Sequence, residues 1–193
     1  MKNIGLLGGS FDPPHQGHLH ISIEGKKRLK LDEVWWLVTP QNPLKISKPA
    51  TYKERVNNCK IITKNFPIKI KEIEKKINSN YSFKTINFLQ NHYRNINFFW
   101  LMGADNLIEF HHWQKWKDIF YNIPIVIFKR HGYNTHALKS ITKKTFEKYR
   151  ISNKQIHKGL FKKLPAWVFF DTKEFKISST EIRNQREILR GKN

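Results

Sequence analysis

Cysteine is almost absent. Cys59 is the single one among 193 residues, so no internal disulfide can form and the chain suits a reducing compartment. Cys59 itself reads as a small buried apolar residue on a helix. Long apolar runs are missing as well: nothing approaches the roughly 18 residues of a membrane span, and no amino-terminal apolar segment marks a secretion signal. These absences predict a cytoplasmic protein. Acidic residues are scarce, 15 against 36 Lys and Arg, which leaves a formal charge of +21. A surface this basic attracts polyanions. The excess, however, is mostly lysine scattered from Lys2 to Lys192 among Asn and Ile. No RNP-like aromatic block, zinc-ligand spacing or arginine-rich tract accompanies it, so specific nucleic-acid binding is not expected. Internal repeats, low-complexity tracts and a linker are also lacking, and the length suits a single domain over 1–193.

What is present is concentrated near the start. Ile4-Gly5-Leu6-Leu7 reads as a short buried strand and Gly17 to Leu29 as the helix after it, with Gly8-Gly9-Ser10-Phe11-Asp12-Pro13-Pro14-His15-Gln16-Gly17-His18 spanning the turn. Backbone N–H groups of such a turn, together with the positive end of a helix, form a seat for phosphate. His15 and His18 stand three residues apart beside that seat. The run is not a Walker loop, which needs Gly-Lys-Ser/Thr, nor a dinucleotide fingerprint, which needs a third Gly opening the helix.

Further strands are expected over Glu33–Thr39, Ile68–Ile73, Phe98–Met102, Ile125–Phe128 and Trp167–Phe170, and helices over Tyr52–Asn65, Phe83–Tyr93 and Trp113–Tyr121. Alternating strands and helices imply βαβ units: an α/β fold with a Rossmann-like parallel sheet and helices on both faces. Ligands of such sheets bind beyond the carboxyl ends of the strands. Gly8 to His18, Pro40 to Lys45 and Gly103 to Leu107 all follow strands, and so converge on one edge.

The Gly8–His18 run resembles the amino-terminal motif of the HxGH nucleotidyltransferase superfamily. Pro40-Gln41-Asn42-Pro43-Leu44-Lys45, Gly103-Ala104-Asp105-Asn106-Leu107 and Ile177-Ser178-Ser179-Thr180-Glu181-Ile182-Arg183 extend the resemblance over most of the chain. Together these blocks are similar to the bacterial nicotinate-nucleotide adenylyltransferase family. The resemblance implies transfer of an adenylyl group from ATP to nicotinate mononucleotide with release of pyrophosphate. It also implies Mg²⁺ held mainly by the substrate phosphates, because no carboxylate cluster suggests a protein cage.

The roles it implies are as follows. His15, His18, Lys45 and Arg183 would be catalytic, neutralising charge on phosphate oxygens; the planar guanidinium of Arg183 can take two of them. Gly8, Gly9, Ser10 and Phe11 would hold ATP together with Gly103, Asp105, Ile177, Ser178, Ser179 and Thr180. Asp12, Lys45, Ser82, Thr85 and Trp113 would receive the acceptor, with the indole of Trp113 beside the pyridine ring. Read without the resemblance, several of these have simpler roles. Asp105, Ser82, Thr85 and Ser178 to Glu181 also suit helix caps, Lys45 a surface lysine and Trp116 the core. Arg55 is either a further phosphate cation or an exposed helix residue.

Two positions depart from the family pattern: Lys84 replaces a common acidic residue, and His131 stands where Arg-Pro-Gly has its Pro. Both bear on the acceptor contacts. The same chemistry with nicotinamide mononucleotide or phosphopantetheine remains open, as does a homo-oligomer. An aminoacyl-tRNA synthetase fragment lacks its KMSKS run here and any tRNA-binding domain. A basic nucleic-acid binder is the non-enzymatic alternative, which a salt-titrated binding assay separates.

Overall fold

A computed structural model describes residues 1–44, 49–156, 163–173 and 176–190. In chain order it contains β1 (Lys2–Gly9), α1 (Gln16–Leu29), β2 (Glu33–Val38), α2 (Tyr52–Thr63), β3 (Ile68–Lys71), α3 (Ile73–Lys76), α4 (Ser82–His92) and β4 (Ile96–Gly103). There follow α5 (Ala104–Glu109), α6 (Trp116–Asn122), β5 (Ile125–Phe128), α7 (Asn134–Lys139), α8 (Ile141–Phe146), α9 (Asn153–Ile156), β6 (Trp167–Phe170) and α10 (Ser179–Arg190). The six strands form one sheet in the order β3-β2-β1-β4-β5-β6, parallel at every pairing. The chain winds outward from β1 in one direction, returns, and winds outward from β4 in the other. The switch therefore falls between β1 and β4, where Gly8-Gly9 and Gly103 end adjacent strands and a crevice opens above the sheet.

The central strands are buried on both faces, which is why they read as continuous apolar runs rather than alternating ones. Successive residues nevertheless serve different layers. Ile4, Leu6, Trp35, Leu37, Trp100, Ile125 and Ile127 face a core completed by Ile86 and Leu89 of α4, Leu107 of α5, Phe120 of α6 and Phe146 of α8. Leu7, Trp36, Val38, Leu101, Val126 and Phe128 face the opposite core, closed by Leu19 and Leu29 of α1 and by Val56 and Cys59 of α2. The expected α/β sandwich is what the chain adopts. Cys59 lies fully buried on α2, and burial pushes its thiol up to about 12, so it is packing and not a nucleophile.

Two local expectations are corrected. The strand expected to run to Ile73 stops at Lys71, because Ile73 starts the short helix α3 and Glu74 turns inward to 3% exposure. The helix expected from Trp113 begins at Trp116. Trp113 has extended backbone (φ −73°, ψ 142°), its ring stacks on Phe110 with centroids 4.6 Å apart, and Lys115 takes a left-handed conformation (φ 53°) before α6 starts. Trp116 packs partly buried at the core margin, edge-on to Phe146. Between Gly132 and Ile156, three short helices, α7 to α9, occupy a stretch whose periodicity is too brief to announce them.

Candidate active site

The loop from β1 to α1 is built around its histidines. His15 is the N-cap of α1: its Nδ1 accepts from the Gly17 N–H at 3.1 Å, while His18 Nδ1 accepts from the His15 N–H at 3.2 Å. Two imidazoles thus form the reciprocal capping arrangement more usual for Ser and Glu. Gly17 makes this geometry possible, since a Cβ there would stand 2.9 Å from His15 Cε1. Because each Nδ1 is an acceptor, each ring when neutral carries its proton on Nε2. The rings lie 3.9 Å apart, centroid to centroid. Burial, with a smaller push from the nearby Arg130, lowers the pKa of His15 to about 4, against weaker opposing effects of Asp105 and Glu181. At neutral pH His15 is an N–H donor, not a cation.

Phe11 supports this pair from below. Its ring is 1% exposed, stacks on Trp36 at 4.6 Å and meets His18 at 4.8 Å. These contacts hold a non-glycine residue at φ 48°, a conformation costing on the order of 1 kcal/mol. What Phe11 can offer a nucleotide is therefore its backbone, not its ring.

Helix α10 closes the other side. Ser179 Oγ donates to the Pro13 carbonyl at 2.9 Å, and Arg183 Nη1 donates to the Asp12 carbonyl at 2.5 Å, with the Asp12 carboxylate 3.9 Å away. Ser178 Oγ accepts from the Glu181 N–H at 3.1 Å, and Thr180 Oγ1 accepts from Arg183 Nη2 at 3.2 Å. Half-buried Ile177 leads into the helix. On the third side, Gly103 is the N-cap of α5, and Asp105 in the first turn forms an ion pair with Arg130. The other carboxylate oxygen of Asp105, Oδ1, is buried without a hydrogen-bond partner.

A cavity of about 340 Å³ adjoins the histidine loop. Gly8, Ser82, Trp100, Trp113, Tyr81 and Glu74 are among its lining residues. Gly8 must lack a side chain, because a Cβ would stand 2.8 Å from the Trp100 ring. Trp113 meets Trp100 edge-on at 6.1 Å, so the cavity has a rigid aromatic side suited to a flat ring. Of the two hydroxyls expected there, Ser82 lines the cavity. Thr85 is fully buried behind it, with its hydroxyl turned to the Tyr81 carbonyl at 3.4 Å. The departing residues sit outside: Lys84 is exposed, its ammonium 5.9 Å from the Tyr81 ring, and His131 is exposed beside Gly132 (φ 79°). Lys45 lies outside the described residues.

Arg55 is neither a phosphate cation nor an exposed helix residue. It is 1% exposed, and its guanidinium donates to the carbonyls of Ser10 (2.6 Å), Thr39 (2.8 Å), Pro40 (2.8 Å) and Ala50 (2.9 Å). It ties the loop after β1 to the loop after β2. Sequence reasoning missed Arg130, Glu74 and Trp100 altogether; only the position of Arg130 inside the departing Arg-His-Gly block hinted at a role. Among the described residues no three His, Cys, Asp or Glu side chains group as metal ligands.

The histidine loop between β1 and α1 thus lies at the switch point of a parallel sheet and beside a cavity with an aromatic wall, the place where sheets of this kind bind their ligands. The chain belongs to the cytidylyltransferase-like family, whose sequence profile matches residues 6–185, and within the reach of that profile to the nicotinate-nucleotide adenylyltransferases. A protein of Ruegeria sp. (strain TM1040) named "Probable nicotinate-nucleotide adenylyltransferase" is 41% identical over 94% of this chain and 96% of its own. One of the same name from Bradyrhizobium sp. (strain ORS 278) is 40% identical over 94% of this chain and 95% of its own. In fold, the chain is similar to the Plasmodium falciparum nicotinic acid mononucleotide adenylyltransferase complexed with NaAD. The TM-score is 0.70 at 19% identity, over 95% of this chain and 83% of that one.

Proposed function

We propose that this chain, acting as one catalytic unit, transfers the adenylyl group of ATP to nicotinate mononucleotide, forming the deamido dinucleotide and pyrophosphate. The observation that carries the reading is the paired-imidazole cap set against an aromatic cavity at one strand edge. The relatives at about 40% identity support the same acceptor.

In the reaction a phosphate oxygen of the mononucleotide attacks the α-phosphorus of ATP, the bond from that phosphorus to the bridging oxygen breaks, and pyrophosphate leaves. No covalent enzyme intermediate is needed; positioning and charge stabilisation suffice. The Nε2–H groups of His15 and His18 donate to triphosphate oxygens, and backbone N–H groups of Gly9 to Phe11 add donors. Arg183, with Ser178 to Thr180 at the start of α10, holds the outer phosphates. Lys45, which follows β2 in the sequence, supplies a second cation. Asp105 addresses the nucleoside of ATP. The acceptor ring lies against Trp113, with Ser82 and Asp12 as polar contacts. A divalent ion, Mg²⁺, bound to the phosphates offsets their charge. The charge of +21 raises the local concentration of both anionic substrates. No helix among the described residues is long and apolar enough to cross a membrane, in keeping with a cytoplasmic enzyme.

The test is pyrophosphate release from ATP and Mg²⁺ with nicotinate mononucleotide, nicotinamide mononucleotide or phosphopantetheine. Preference for the first is expected. Preference for phosphopantetheine would retain the phosphate site and refute the acceptor assignment.

A further inference from the structure

A polar pair stands inside the apolar layer between the sheet and α1. Leu7, Leu19, Val38 and Leu101 pack there as hydrocarbon, yet the indole Nε1–H of Trp36 on β2 meets the hydroxyl of Ser22 on α1 at 2.8 Å. Ser22 is 1% exposed and Trp36 is fully buried. The Ser22 hydroxyl accepts from the indole and donates in turn to the His18 carbonyl, 2.9 Å away and one helical turn back. A second path joins the same residues through their rings. The Trp36 indole stacks on Phe11 at 4.6 Å with 9° between the planes, Phe11 meets the His18 ring at 4.8 Å, and the indole itself lies 5.8 Å from that ring. Trp36 thus addresses both the backbone and the side chain of His18, while its own burial keeps it from any substrate.

Stability alone does not account for the pair. Replacing both partners of a buried hydrogen bond by apolar groups is close to neutral, and alanine suits a helix interior better than serine. What a chain of donors and acceptors adds is direction. An apolar contact tolerates sliding, whereas a hydrogen bond fixes distance and angle. The fixed end is Trp36, paired with Leu7 of β1 on one side and Ile70 of β3 on the other. The end being fixed is the first turn of α1, which carries His18.

Resting on the role given to His18 in the reaction above, we propose that Trp36 and Ser22 are positioning residues, which set His18 against the reacting phosphate through the hydroxyl relay and through Phe11. Charge builds on the phosphate oxygens only as the bond to the departing pyrophosphate breaks, so the transition state depends on that placement more than substrate binding does. Loss of the relay is therefore read in kcat rather than in KM.

The experiment compares Ser22→Ala, Trp36→Phe and the double variant with the wild type, by pyrophosphate release at 15 °C from ATP and Mg²⁺ with nicotinate mononucleotide, beside thermal melts by circular dichroism. Trp36→Phe keeps a ring against Phe11 and removes the N–H donor. Each single variant is expected to lower kcat about tenfold, with both KM values within about twofold of wild type. The double variant should lose little more than the worse single one, because both changes break one relay. Thr63→Val is the control: it removes another buried hydroxyl, one that donates to the Cys59 carbonyl at 2.7 Å, a turn back at the far end of α2. It should lower Tm by about 2–6 °C, as Ser22→Ala should, and leave kcat intact. If Trp36→Phe does not fold, Ser22→Ala against Thr63→Val decides. Full kcat in Ser22→Ala overturns the proposal, and so do losses that multiply in the double variant or an equal loss of kcat in Thr63→Val. A wild-type protein that turns over no acceptor refutes the assigned reaction and this proposal with it, whereas an active wild type matched by Ser22→Ala refutes this proposal alone.

Discussion

Replacing Arg55 should loosen the site without touching a substrate. Its guanidinium joins four carbonyls, two from the loop after β2 (Thr39 and Pro40), one from the histidine loop (Ser10) and one from the approach to α2 (Ala50). Hydrogen bonds from a charged donor contribute roughly 1.5–3 kcal/mol each, but the desolvation of a buried guanidinium offsets much of that sum. Breaking a buried charge network costs about 3–5 kcal/mol, so Arg55→Met should lower stability by about 4 kcal/mol. That is a large share of the roughly 5–15 kcal/mol available to a domain, and it corresponds to a fall in Tm of about 8–16 °C at this size. Arg55→Lys should fall between, because an ammonium offers three donors from one point and cannot span four acceptors. In the fraction still folded at low temperature, kcat/KM should drop by roughly tenfold to a hundredfold, since slight misplacement of the Ser10 loop displaces both histidines. Thermal melts by circular dichroism and pyrophosphate release at 15 °C, each for both variants, make the measurement. An Arg55→Met protein with unchanged Tm and wild-type kcat/KM would refute the clamp.

Other consequences can be read in the same way. His18→Ala should reduce turnover by at least about a hundredfold, as loss of a charge-stabilising donor does, while near-ultraviolet circular dichroism shows the fold retained; near-normal activity would remove the assigned role. Trp113→Ala should raise KM for the mononucleotide about tenfold or more and leave that for ATP unchanged, which a two-substrate kinetic analysis separates. The pH dependence of stability should reveal two opposed groups. Glu74, raised from 4.5 to about 7, keeps in the folded state a proton the unfolded chain releases, so its contribution is full below 4.5 and lost as pH rises to 7. His15, lowered from 6.5 to about 4, refuses a proton the unfolded chain takes, so stability is lost as pH falls from 6.5 to 4. Each window spans on the order of 3 kcal/mol, and the two nearly cancel where they overlap. Urea unfolding should therefore be almost level from pH 4.5 to 6.5 for the wild type but rise with pH for Glu74→Gln; identical curves would contradict the assignment.

Much of this was legible along the chain because it is local. The histidine loop is eleven consecutive residues, and the central strands stand out because both faces of the sheet are covered. Trp113 is a different case: its distance from Trp116 looks helical, yet its backbone is extended and its ring meets Trp100 of β4, a contact that only the fold creates. Arg55 reads as one helix arginine among many basic residues, since the carbonyls it joins are up to 45 positions away. Glu74 directly follows a run, Ile68–Ile73, that alternates like a half-exposed strand, and only the turn into α3 carries it inward. Pattern reveals which faces are apolar; it does not reveal which polar group is buried among them.

The contacts of α10 with the histidine loop join residues far apart in the chain: Ser179 reaches Pro13 across 166 positions, and Arg183 reaches Asp12 across 171. All six strands of the described residues precede α10, and it adds none to the sheet. A ribosome can therefore deliver every one of these strands while the loop that carries His15 and His18 still lacks both ties. A nascent chain stalled before Ser178 would show strand structure with that loop untethered, so the order of synthesis makes the sheet the support on which the loop is later fixed.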